Sequence, residues 1–79
     1  MPLSSITKQF GRTVRLHRIG VGLTQEALAE KAGLHPTYIS MVARGVRNPT
    51  LDVSARIAKA LKISLPTLIE NAQRGNTTK

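Results

Sequence analysis

The stretch from Gln25 to Val42, QEALAEKAGLHPTYISMV, constrains what this chain can fold into more than any other part of it. Leu28 and Ala29 lie one helical turn past Gln25, Ala32, Gly33 and Leu34 follow, and Ile39 and Val42 continue at the spacing of a second helix. Ala29 is small enough to let two helices cross closely. Gly33 lacks a β-carbon and so enters the left-handed backbone that a tight turn often needs and that other residues resist. Two short helices packed across a turn are therefore expected, one ending at Ala32 and the next running from about Pro36 to Arg44.

Charge supplies the second constraint. Twelve Lys and Arg against four acids give a net charge of +8 on 79 residues, a positive field that attracts polyanions. By itself this fits nucleic acid, an acidic membrane surface or a merely basic soluble protein; the helix-turn-helix spacing favours nucleic acid. The absence of cysteine excludes disulfides and thiolate metal sites and makes a reducing cytoplasm the simplest home. Two histidines cannot build a metal site alone, and nothing calls for a cofactor. No run approaches the roughly 18 apolar residues of a membrane span, and the start lacks the basic-then-apolar order of a signal peptide. The acids Glu26, Glu30, Asp52 and Glu70 are scattered, with no set of nucleophile, base and orienting group, which argues against an enzyme.

The length fits one domain spanning 1–79, with a core from about 5 to 71 and a flexible polar tail, QRGNTTK, from 73 to 79. In helix one, Leu3, Ile6, Phe10, Val14, His17 and Val21 form one stripe ending near Gly20, while Leu16 and Ile19 fall off it. Lys8, Arg12 and Arg15 on the other face are read first as solvated charges and second as phosphate contacts. Thr24 caps helix two, Thr50 caps helix four and Ser64 caps helix five. Gly45 ends helix three, and Ala55, Ile57, Ala58 and Leu61 are the inward set of helix four. An all-α fold of five helices follows, with the helix-turn-helix at helices two and three.

LTQEALAEKAGL (23–34), TYIS (37–40), RGVRNPT (44–50) and IAKALKISLPTLIE (57–70) resemble the phage-repressor type of helix-turn-helix, the Cro/CI-like or xenobiotic-response-element family. Within it, the chain is similar to the small controller proteins of restriction-modification systems. The resemblance implies a sequence-specific transcriptional regulator that places helix three in the major groove of double-stranded DNA. It also implies a homodimer on half-sites about 34 Å apart. Relatives of the controller type pair through their last helix, which points to Ile63, Leu65, Leu68 and Ile69; the alternative is that these four only complete the core. Antitoxins of toxin-antitoxin pairs share the fold, so an antitoxin that binds its promoter and a toxin protein is the alternative function. RNA polymerase is a further partner for an activator, through exposed residues such as Glu30 and Lys31.

One departure stands out. Family members commonly carry a glutamate two residues before the glycine ending helix three, paired with an arginine matching Arg18; here that place holds Ala43. Arg18 is expected to turn to a helix C-terminus or to Glu30, since an unpaired, partly buried guanidinium costs several kcal/mol; the other course is to join the basic surface. His17, where an apolar residue is usual, is expected to be packed and hydrogen-bonded.

His35, Pro36, Thr37, Ser40, Met41 and Arg44 are the expected base-reading residues along the solvent side of helix three. Thr37 and Ser40 discriminate weakly, and Arg44 can grip guanine through two bonds or bind a phosphate. Pro36 and Met41 bring only shape or apolar contact, so DNA deformability should carry part of the specificity. The resemblance further implies Gln25, Tyr38, Arg47 and Asn48 as phosphate contacts, Gln25 matching the family's glutamine at the start of helix two, where its amide and nearby backbone N–H groups can bind a phosphate. For Tyr38 the alternative is packing between helices with its hydroxyl in water.

Overall fold

The computed structural model describes residues 5–74, with no side-chain detail for Ser5. Five helices follow one another: α1 (Ser5–Gly20), α2 (Gln25–Ala32), α3 (Pro36–Ala43), α4 (Leu51–Ala60) and α5 (Leu65–Gln73). The starts are set by side-chain caps. Thr24, Thr50 and Ser64 each accept the backbone N–H three residues on, at 3.0, 3.1 and 3.2 Å, which satisfies one of the orphan donors of α2, α4 and α5.

Four of the helices end alike. At Gly22, Gly33, Gly45 and Lys62 the chain turns left-handed, and the next residue's N–H closes a long loop back to a carbonyl in the last turn. At Gly33, with φ of 71°, the Leu34 N–H donates to Ala29 O at 2.8 Å, which reverses the chain between α2 and α3. Lys62 adopts the same conformation, with φ of 61°, although it carries a β-carbon.

α1 packs on α3 and α5, α2 on α3 and α4, and α4 on α5. Phe10, Val14, Leu28, Ala29, Ala32, Ile39, Val42, Ile57, Ala58, Leu61, Leu68 and Ala72 meet in the space between them. Ala29 is buried at the α2–α3 crossing, as its size requires. The closest approach joins α1 to α3: a β-carbon added at Gly11 would stand 2.0 Å from the Val42 carbonyl oxygen. Only glycine lets the two backbones come this near.

The helix-one stripe differs from its sequence reading. Ile6 is 38% exposed and Val21 52% exposed, whereas Thr7 is buried beside Phe10, Gly11 and Val14. Thr7 tolerates burial because its hydroxyl donates to Asn48 Oδ1 at 3.2 Å, tying the start of α1 to the α3–α4 loop. Val21 falls outside because α1 stops at Gly20 and Gly22 swings the chain away. Leu3 lies outside the described residues.

On α4 the inward residues are Ser54, Ile57, Ala58 and Leu61, and Ala55 is exposed. Ala55 stands about 100° around the helix from Ser54, and the Ser54 hydroxyl is satisfied internally by Thr50 O at 2.8 Å. Of the expected tail, Gln73 completes α5 and Arg74 is its C-cap; residues 75–79 lie outside the described residues. Among the described residues no helix is long and apolar enough to cross a membrane.

Candidate nucleic-acid interface

α3 begins with an unusual cap. His35 Nδ1 accepts the Thr37 N–H at 3.1 Å, so this nitrogen is unprotonated and the ring proton of the neutral imidazole sits on Nε2. Pro36 follows at the first helical position, where a missing N–H costs nothing. His35 therefore both builds the helix and, being exposed, offers one N–H donor outward.

Thr37, Ser40 and Arg44 recur at steps of three and four and share a face of α3, with Thr37 and Arg44 exposed and Ser40 half-buried. Ile39 and Val42 fill the core on the opposite side. Pro36 and Met41 are half-buried, so the apolar part of the expected reading face is less open than its sequence suggests. Arg44 is the C-cap of α3 rather than part of the helix.

The structure brings Tyr38 and Arg47 together. The Arg47 guanidinium carbon lies 5.3 Å from the Tyr38 ring centroid, a cation–π stack between α3 and the loop that follows it. Tyr38 is half-buried against the core, so it packs and presents a face at once. Asn48, next in the loop, accepts from Thr7 through Oδ1, which leaves its amide N–H pair as the donors this exposed side chain can offer.

Gln25, the first residue of α2, is half-buried and lines a cleft with Arg15, Arg18, Ser40, Ala43 and Arg44. The sequence reading takes Arg15 first as a solvated charge and second as a phosphate contact, and does not group it with Arg18, Gln25 and Arg44. Arg15 and Arg18 are three residues apart on α1, the one signal that they share a side of the helix. Arg18 finds its partner at neither Glu30 nor a helix-end carbonyl: Nη1 donates to the Leu23 carbonyl in the α1–α2 connection, at 2.6 Å. His17 is half-buried, and its Nε2 stands 3.2 Å from Asn71 Nδ2, linking α1 to α5.

Of the four residues expected at a dimer contact, Leu68 is fully buried within the protomer. It belongs to the same core cluster as Phe10 and Val14 and leaves no surface for a second chain to touch. Ile63, Leu65 and Ile69 are half-buried around it. No group of three or more His, Asp or Glu that could hold a metal occurs among the described residues.

The helix-turn-helix family model matches residues 14–68. Control protein C.SmaI of Serratia marcescens is 45% identical over 64 residues, covering 81% of this chain and 76% of its own. Control protein C.BamHI of Bacillus amyloliquefaciens is 39% identical over 74 residues, covering 92% and 91%. Among solved structures, the restriction-modification controller protein C.AhdI of Aeromonas hydrophila superposes with a TM-score of 0.77 at 39% identity over 78% of this chain and 94% of its own. The controller protein C.Esp1396I, a tetramer in complex with its natural 35-base-pair operator, superposes with a TM-score of 0.84 at 32% identity over 91% and 95%. The chain belongs to the helix-turn-helix family, among relatives that are restriction-modification controller proteins.

Proposed function

We propose that this protein is a transcriptional regulator that binds operator DNA as a homodimer, with α3 in the major groove and base contacts from Thr37, Ser40 and the His35 N–H. The observation that carries this reading is the exposed α3 face itself, bordered by Arg44 at its end and by the Tyr38–Arg47 stack. The bound operator of C.Esp1396I supports it by likeness. Arg47, Asn48 and Gln25 contact phosphates and set the register, while the short side chains of α3 leave part of the specificity to the shape of the duplex. Pairing runs through Ile63, Leu65 and Ile69 around α5.

Selection of bound sequences from a random duplex pool, followed by footprinting, tests this. A two-fold symmetric motif with half-sites about one helical turn apart is the expected product. Enrichment of no motif, or of a single asymmetric one, would overturn the dimeric reading.

A further inference from the structure

The cleft between α1, the start of α2 and the end of α3 has a volume of about 510 Å³. Three of the residues lining it, Arg15, Arg18 and Arg44, are arginines, and none is an acid. Neither Arg15 nor Arg44 makes an ion pair among the described residues; the two pairs present, Asp52–Arg56 and Glu70–Arg74, lie on α4 and α5. Arg18 is half-buried and held at the Leu23 carbonyl, a fixed positive charge deeper than the exposed Arg15 and Arg44. A second basic cleft, of about 490 Å³ around Lys31, Arg56, Lys59 and Lys62, differs in kind. It contains Glu30, and Arg56 there is engaged internally, donating to Gly33 O at 3.2 Å beside its ion pair with Asp52. The second cleft thus holds an acid and an arginine already engaged within the chain, whereas no acid lines the first and two of its three arginines, Arg15 and Arg44, are exposed.

Two of its walls also locate the first cleft. Ser40 and Arg44 belong to the exposed face of α3, so the cleft opens at the edge of that face. A helix seated in the major groove has a phosphate backbone along each edge. We propose that the cleft takes one phosphodiester group of the operator backbone, with Arg15 and Arg44 donating from α1 and α3, Arg18 as the fixed charge behind them, and Gln25 and Ser40 as neutral donors. Ala43 is the residue that admits it, because a side chain of one carbon leaves the space open and adds no negative charge. Arg44 is thereby a phosphate ligand and not a reader of guanine. This rests on the DNA-binding reading above.

The test installs a carboxylate in the cleft. Ala43→Glu, compared with the neutral Ala43→Gln, is expected to keep the helical spectrum and melting temperature or raise the latter. It should weaken operator binding roughly ten- to a hundredfold, the worth of a charge-assisted hydrogen bond, and lower the slope of log K against log salt by about one. Arg15→Ala should give the same loss of slope. Added to Ala43→Glu it should cost little more, since both remove one contact.

A titration of the wild type with inorganic phosphate at constant ionic strength is the arm independent of DNA. It should shift the amide resonances of Gln25 and Ser40 in the wild type and leave them still in Ala43→Glu. Wild-type affinity and slope in a folded Ala43→Glu would overturn the proposal. Failure of the wild type to bind any duplex, with the phosphate-induced shifts intact, would overturn DNA as the source of the anion.

Discussion

The α-carbon of Gly11 faces the Val42 carbonyl so closely that a methyl group on it would stand 2.0 Å from that oxygen. Real β-carbons do not come this near, and the carbonyl belongs to backbone in the last turn of α3, held by the buried Val42, not to a flexible side chain that could step aside. Gly11→Ala is therefore expected to destabilise the domain by about 3 kcal/mol or more by forcing α1 off α3. For a domain of this size that lowers the melting temperature by at least roughly 12 °C. Thermal unfolding followed by circular dichroism checks it, and a wild-type melting curve would rule out this packing of α1.

Lys62 holds the left-handed conformation that Gly22, Gly33 and Gly45 hold elsewhere. A β-carbon there costs about 1–2 kcal/mol, and replacing it with glycine recovers part of this, since glycine also loses more backbone entropy on folding. Lys62→Gly should stabilise by about 1 kcal/mol, whereas Lys62→Ala, which keeps the strain and loses the charge, should not. Urea midpoints of the two variants at unchanged slope decide the matter.

Leu68 and Ile69 are neighbours in sequence with separate duties. Leu68→Ala should cost about 2–5 kcal/mol of protomer stability, as a fully buried leucine does. Ile69→Asp should leave a helical protomer and move the sedimentation profile toward monomer. Unchanged dimerisation in Ile69→Asp would shift the contact away from this side of α5.

Tyr38 and Arg47 stack, so their substitutions should not add. Arg47→Ala is expected to weaken all duplexes about equally and reduce the salt slope by roughly one. Tyr38→Phe keeps the ring beneath the guanidinium and should preserve most of the affinity, while Tyr38→Ala should approach the Arg47→Ala level. Loss of operator binding by Arg47→Ala with random-DNA binding unchanged would make Arg47 a base reader.

His35 caps α3 through Nδ1. His35→Ala should cost about 1 kcal/mol, and His35→Ser, which offers another acceptor at the same place, should restore most of it. If both bind operator equally weakly despite this difference in stability, the outward Nε2–H is a DNA contact as well as a bystander to the cap.

Much of this molecule is legible in its residues because the deciding interactions are local. Thr24, Thr50 and Ser64 cap the helices that follow them, Gly33 makes the turn, and Leu28, Ala29, Ile39 and Val42 reach the core at the spacing that marks them. A side chain three residues from its partner carries its own geometry with it. Ser54 in place of Ala55 shows the limit, since a one-residue rotation of a helix face depends on which neighbours it meets.

The chain alone determined five helices, a tight turn at Gly33 and the shared face of Thr37, Ser40 and Arg44 opposite Ile39 and Val42, for these follow from period, caps and backbone freedom. Tertiary structure decided the rest: the bare approach of Gly11 to Val42, the burial of Thr7 over Ile6, the stacking of Arg47 on Tyr38, and the meeting of Arg15, Arg18 and Arg44 around Ala43. Each depends on how separate helices and loops come together, Thr7 through Asn48 of the α3–α4 loop and Arg15 and Arg18 through the crossing of α1 and α3, which no local spacing encodes.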